Sequence, residues 1–111
     1  MLNSQIEKML IERLGQPTRA VKKVSAWSLN SNTDVVLETN YEVTDSVSLA
    51  NLWLPAVHLN KCDGLNVAQY PEGKGRHSNT YPSKGLERDK AAIKVKLTSM
   101  TEAENLLSAI I

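Results

Sequence analysis

Residues 33–43 read Thr-Asp-Val-Val-Leu-Glu-Thr-Asn-Tyr-Glu-Val, and this stretch decides the fold class. Successive side chains of an extended chain point to opposite sides. One side carries Val35, Leu37, Thr39, Tyr41 and Val43, and the other carries Asp34, Val36, Glu38, Asn40 and Glu42. The alternation predicts a β-strand with one face in the core and the other in water.

Two further strands are predicted beside this one. Val21–Leu29 is a less regular strand that contains Val21, Val24 and Trp27, and it ends in an Asn-Ser-Asn turn at 30–32. Val47–Leu54 follows a Thr-Asp-Ser turn at 44–46 and stops at Pro55. Short turns between neighbouring strands favour antiparallel pairing, so the three form a meander.

A later strand is predicted at Ala92–Thr98, where Ile93, Val95 and Leu97 alternate with Lys94 and Lys96. Residues 56–69 carry only fragments of pattern. These fragments are a helical turn at 56–59 and a short strand at 65–69. The sheet is therefore expected to contain four to five strands.

A helix is predicted at each end of the chain. Ser4 and Glu7 form a capping box ahead of a helix over about 5–14, which Gly15 would end as a left-handed cap. Ser99 and Glu102 repeat that spacing before a closing helix, whose apolar stripe is Ala103, Leu106, Leu107 and Ile110. The predicted fold is α+β, with a mainly antiparallel sheet and both helices packed on one of its faces.

Length and composition indicate one domain over residues 1–111. The hydrophobic fraction of 41% suits a packed core, and the chain has no Phe. Trp27 and Trp53 are therefore expected inside the core. The formal net charge of +1 disfavours a heavily basic nucleic-acid binder. With one cysteine, no export signal and no long apolar run, we expect a cytoplasmic protein without a membrane span.

Function is expected in the 70–90 segment, a long connection with almost no apolar periodicity. Its glycines allow close backbone approach, and its cations and hydrogen-bond donors suit an anion. The candidate binding residues are Lys74, Arg76, His77, Asn79, Tyr81 and Lys84. The favoured interpretation is a non-enzymatic binding or accessory module with a macromolecular partner, nucleic acid being slightly ahead of protein.

Two alternatives stay open. A small metal-independent phosphodiesterase or ribonuclease would use His58 and His77 as acid and base. A homodimer would join sheet edges or helices, with the 70–90 segment as a bystander. No cofactor is predicted. His58 and Cys62 have ligand-like spacing, but even with Asp63 and His77 they lack the paired motif of known zinc sites, so no metal is predicted either.

Overall fold

The computed structural model describes residues 2–39 and 49–111. Within these residues the chain forms two α-helices, α1 (Leu2–Leu14) and α2 (Met100–Ile110). The strands of the described residues are β1 (Arg19–Ala20), β2 (Val24–Ser28), β3 (Asp34–Glu38), β4 (Ala50–Pro55), β5 (Asn66–Tyr70) and β6 (Ala92–Leu97). Short 3₁₀ helices occupy Ala56–Lys61 and Ser78–Thr80.

The strands form one sheet in the order β1-β2-β3-β4-β6-β5, and every neighbouring pair is antiparallel. The α+β class is confirmed, although the sheet has six strands in the described residues rather than four to five. β5 overlaps the short strand predicted at 65–69. β1 arises because the chain turns at Val21, whose N–H bonds the carbonyl of Val24.

The predicted meander is present as β2, β3 and β4. Trp27 lies opposite Val35 in the β2–β3 register, and Leu37 lies opposite Leu52 in the β3–β4 register. The turn predicted at 44–46 and the second half of the strand predicted at 33–43 lie outside the described residues. The late strand is confirmed as β6, which pairs with β4 over its whole length.

Both helices pack on one face of the sheet, as predicted. Ile6 and Leu10 of α1 and Leu107 of α2 are completely buried there. They pack with strand residues that include Trp27, Val35, Leu37, Leu52, Val95 and Leu97. This helix-covered face is called the helical face below, and it holds the larger part of the core.

The opposite face is also partly buried, so the expectation that the side of β3 carrying Val36 lies in water is wrong. Val36 is completely buried, together with Ala26 and Trp53. The cover is Leu86, which comes from the 70–90 segment and is itself completely buried. This face is called the loop face below. The alternation of polar and apolar residues in a strand predicts which side chains share a face. It carries no information on whether a distant loop will cover that face.

Helix starts were predicted with mixed success. Ser99 caps α2, and its hydroxyl accepts from the backbone N–H of Glu102 at 3.1 Å. Ser4 is not the cap of α1, because that helix begins at Leu2. Tertiary contacts account for the extra residues, since Leu2 is buried and the Asn3 amide donates to the carbonyl of Glu38. Gly15 ends α1 with a positive φ of 86°, as predicted.

Candidate functional site

The 70–90 segment leaves β5, crosses the loop face and returns to β6. At its far end the Arg19 guanidinium donates to the carbonyl of Asn79 at 2.7 Å and to the hydroxyl of Ser83 at 3.0 Å. Lys84 pairs through its backbone with Asp34, whose N–H bonds the Lys84 carbonyl and whose carboxylate accepts from the Lys84 N–H. Leu86 packs against Trp53. The segment therefore contacts β1 through Arg19, β3 through Asp34 and β4 through Trp53.

Close packing fixes one backbone position in this segment. Gly85 has a φ of +86°, which favours glycine. A Cβ placed on it would lie 2.8 Å from Cγ of Pro55 and 3.2 Å from Cγ2 of Thr33. The glycine therefore allows the segment to reach the end of β4, where a larger residue would hold it away.

Arg76 organises the interior of the segment. Its Nε donates to the Thr80 hydroxyl at 3.2 Å and its Nη1 to the Lys90 carbonyl at 3.0 Å. Its Nη2 donates to the carbonyls of Leu86 and Glu87. Burial lowers the pKa of Arg76, while the neighbouring Tyr81 and Glu87 act in the opposite direction. The guanidinium joins the two halves of the segment and is occupied with backbone oxygens rather than presented to a ligand.

A surface pocket of about 440 Å³ opens between the two halves that Arg76 joins. Its walls are Gly73, Lys74, Gly75, Tyr81, Arg88 and Asp89. Two cations and one carboxylate therefore surround an aromatic ring. This set is called the loop pocket below.

The loop pocket has features that suit a phosphate next to a planar group. The Lys74 ammonium lies 4.9 Å from the centre of the Tyr70 ring, which places this cation beside an aromatic face. Open space surrounds Gly75, because a Cβ there would meet nothing within 4 Å. The Tyr81 hydroxyl donates to the carbonyl of Arg76 at 3.3 Å, which positions its ring at the pocket wall.

Besides Arg76, the structure separates the predicted binding residues into two groups. Lys74 and Tyr81 come together at the loop pocket. His77 and Asn79 interact with each other, since His77 Nδ1 accepts from the Asn79 backbone N–H at 3.2 Å. The Lys84 ammonium donates to the side-chain carbonyl of Asn32 at 2.8 Å, on the turn before β3. These contacts of His77, Asn79 and Lys84 hold the segment to itself and to the sheet.

Arg88 is the pocket cation that sequence reasoning missed. It lies within the 70–90 segment, and its side chain is exposed. The sequence offers one weak signal for it, a cation inside a long aperiodic connection. Nothing in the spacing shows that Arg88 rather than Lys84 faces Lys74, because the fold of the segment decides that.

His58, one of the two histidines of the catalytic alternative, is 2% exposed. Its Nε2 lies 3.2 Å from the Thr33 hydroxyl, while Nδ1 is buried without a hydrogen-bond partner among the described residues. Burial lowers the pKa of the imidazole, and the charge of Lys61 lowers it further. No hydrogen bond of the described residues joins His58 to His77, so the catalytic pairing stays a prediction.

Cys62 lies beside His58 and donates its Sγ–H to the His58 carbonyl at 3.5 Å. Burial raises the pKa of this thiol, and Asp63 raises it further. Both effects favour the neutral form, which is a poor metal ligand. Across residues 2–39 and 49–111, no group of three or more His, Cys, Asp or Glu side chains is placed to hold a metal ion. In the same residues, neither helix has the length and apolar character needed to cross a membrane.

Comparison with known proteins gives one partial similarity. The chain is 36% identical over 73 residues to the large ribosomal subunit protein uL4 of Rippkaea orientalis. The match covers 60% of this chain and 34% of the relative, so the chain spans about a third of that protein's length. No protein-family model matches the chain, and no solved structure matches it.

Proposed function

We propose that this protein is a non-enzymatic binding module that contacts nucleic acid through the loop pocket. The observation that carries the proposal is the arrangement of Lys74, Arg88 and Tyr81 around one cavity in a segment that Arg76 holds together. The similarity to a large ribosomal subunit protein supports RNA as the nucleic acid, because ribosomal subunits are built around RNA.

The charges of the loop pocket match one or two phosphates. Lys74 and Arg88 supply two cations, which would release counterions from a bound strand. Asp89 on the same wall disfavours a strand that places a phosphate against it. The glycines on either side of Lys74 allow a backbone as bulky as a sugar-phosphate to approach closely.

An aromatic ring beside these cations favours a single strand over a duplex. Unpaired bases stack on tyrosine faces, and each stacked base stabilises such complexes by about 1–3 kcal/mol. In a duplex the base faces are covered, so only the phosphate contacts would remain. The small net charge of +1 fits this local mode of binding, because recognition then depends on two positioned cations rather than on the field of the whole protein.

Fluorescence anisotropy with a fluorescein-labelled oligouridylate of about twelve nucleotides tests the proposal. Two phosphate contacts predict that log K falls against log salt with a slope of about −1.4 between about 50 and 200 mM KCl. Lys74→Ala and Arg88→Ala should each flatten the slope by about 0.7. Tyr81→Phe should retain binding, whereas Tyr81→Ala should weaken it severalfold, since stacking needs the ring and not the hydroxyl.

The matched control is Lys8→Ala, which removes an exposed cation of α1. This helix lies on the opposite side of the sheet from the loop pocket. An equal effect of Lys8→Ala, or a slope near zero, would overturn the proposal. A duplex of the same length should bind more weakly than the single strand. Gel electrophoresis of the RNA after incubation should show it intact, and cleavage abolished by His77→Ala would support the ribonuclease alternative instead.

A further inference from the structure

β5 forms one edge of the sheet and pairs only with β6 among the strands of the described residues. An edge strand directs every second N–H and C=O outward. Proteins usually protect such edges with charge, with proline or by keeping the strand short. The opposite edge follows that rule, because β1 has two residues and begins with Arg19. β5 has five residues, Asn-Val-Ala-Gln-Tyr, without a charge or a proline.

On the loop face, the edge of β5 lies next to two lysines. Ala68 is opposite Lys94 and Asn66 is opposite Lys96 in the β5–β6 register. The Lys94 ammonium lies 5.6 Å from the centre of the Trp53 ring, which belongs to the loop face. Lys96, two residues further along β6, lies on the same face. Ala68 is exposed and its side chain is one methyl group. A strand added beside β5 would lie about 10 Å from β6, within the combined reach of a Glu and a Lys side chain across Ala68.

Beside Gln69 and Ile93 on the side of the helical face, the end of β5 borders an apolar pocket of about 260 Å³, whose walls also include Tyr70 and Ala92 of the loop face. Its walls include Ala56, Pro71, Ala91 and Ile93, and Gln69 lies opposite Ile93 in the strand register. Val57, next along the chain from Ala56, is 71% exposed. A residue of an added strand that points to this side beside Gln69 would enter the pocket.

From these two neighbourhoods we propose that the β5 edge binds an extended acidic peptide by strand addition. Alternating side chains would place Asp or Glu toward Lys94 and Lys96, and an aliphatic residue at the adjacent position in the apolar pocket. The main-chain hydrogen bonds would supply affinity, and the alternation would supply specificity. This site shares no residue with the loop pocket, so it stands independently of the nucleic-acid proposal.

A second copy of the chain fits this edge less well than an acidic peptide. Pairing of β5 with itself would offer no carboxylate to Lys94 or Lys96, because residues 66–70 are uncharged. It would also bring two such lysine pairs onto one continuous sheet face, where like charges repel. Val67 is the aliphatic residue of β5 and already packs against the core of its own chain.

The probe is a fluorescein-labelled octapeptide that alternates Glu and Val, titrated into the full chain by anisotropy. An octapeptide that alternates Ser and Val should bind at least fivefold more weakly, and one that alternates Lys and Val should not bind measurably. The double variant Lys94→Gln and Lys96→Gln should lose the preference for Glu over Ser. A Glu-Val peptide N-methylated at alternate residues should fail to bind, because it cannot pair with an edge.

Hydrogen exchange locates the complex without any change to the protein. Amides of residues 66–70 should exchange more slowly when the peptide is bound, while those of α1 should not change. Equal affinity for the N-methylated peptide would overturn strand addition, and equal affinity for the Ser-Val peptide would overturn the acidic partner. A concentration-dependent dimer mass, with residues 66–70 protected from exchange in the dimer and no binding of the Glu-Val peptide, would assign the edge to a second copy instead.

Discussion

At the scale of single residues, Arg76 is of a type that often binds anions, but its hydrogen bonds go to the backbone of its own segment. A guanidinium presents its donors in a planar fork, and here that fork donates to the backbone carbonyls of Leu86, Glu87 and Lys90. The face of Tyr81 lies 5.1 Å from the guanidinium carbon. The residues that remain for a ligand are those with fewer internal contacts, Lys74 and Arg88.

Replacement of Arg76 by lysine tests this assignment. One ammonium cannot reach carbonyls on both halves of the segment, so Arg76→Lys should lower the free energy of unfolding by about 1–3 kcal/mol. Urea denaturation followed by circular dichroism measures the change. The matched control is Arg88→Lys, which should leave stability unchanged. Equal stability of Arg76→Lys and the wild type would show that the charge rather than the fork matters.

At the scale of elements, the 70–90 segment acts as a cover for the loop face rather than as a free connection. Leu86 is its apolar contact with the sheet, and it is buried with Val36, Trp53 and Ala92. The polar bonds of Arg19 and Lys84 attach the outer part of the segment to β1 and to the turn before β3. The loop pocket depends on this attachment, because its walls come from both halves of the segment.

Truncation of Leu86 should therefore affect both folding and binding. Leu86→Ala removes a buried side chain from a closed cluster and should cost about 2–5 kcal/mol. Thermal unfolding measures the loss, and tryptophan emission should shift to the red as water reaches Trp53. Val57→Ala, at a side chain that is 71% exposed, is the control and should stay within about 0.5 kcal/mol of the wild type. A Leu86→Ala variant of wild-type stability would contradict the covering role.

At the scale of the whole molecule, two cores share one sheet. The helical face carries most of the buried apolar residues, and the loop face carries a smaller cluster beneath the 70–90 segment. His58 lies buried at the end of β4, in a 3₁₀ helix that is in contact with α2 and β6. Its protonation state therefore affects the free energy of unfolding.

The pH dependence of unfolding follows from the lowered pKa of His58. In the unfolded chain the imidazole binds a proton as pH falls through its ordinary pKa of 6.5, whereas the buried ring stays neutral to lower pH. The unfolded state then holds more protons, so stability should fall below about pH 6.5 with a slope of at most about 1.4 kcal/mol per pH unit. The loss should level off below the folded pKa.

The measurement is urea unfolding at a series of pH values between about 5 and 8. His58→Gln should be less stable at pH 8, and its stability should decline less steeply with acid than that of the wild type. If the two proteins lose stability in parallel, His58 does not account for the effect.

The sequence alone determined the elements that have local signals. Alternation in residues 33–43 and 92–98 predicted strands that contain β3 and β6, and the Ser99–Glu102 spacing predicted the start of α2, because period and capping depend only on near neighbours. Gly15 likewise ended α1 with the predicted left-handed conformation. The choice of the 70–90 segment and of Lys74 and Tyr81 as candidates also came from composition.

Tertiary structure decided everything that joins distant parts of the chain. The placement of β6 between β4 and β5, the burial of Val36 under Leu86 and the partners of Arg76 all depend on contacts between residues far apart in sequence. No local pattern encodes them, because a periodic strand specifies which faces it has but not what will cover each face. For the same reason, only the folded structure shows that Arg88 lines the loop pocket and that Lys84 instead contacts Asn32.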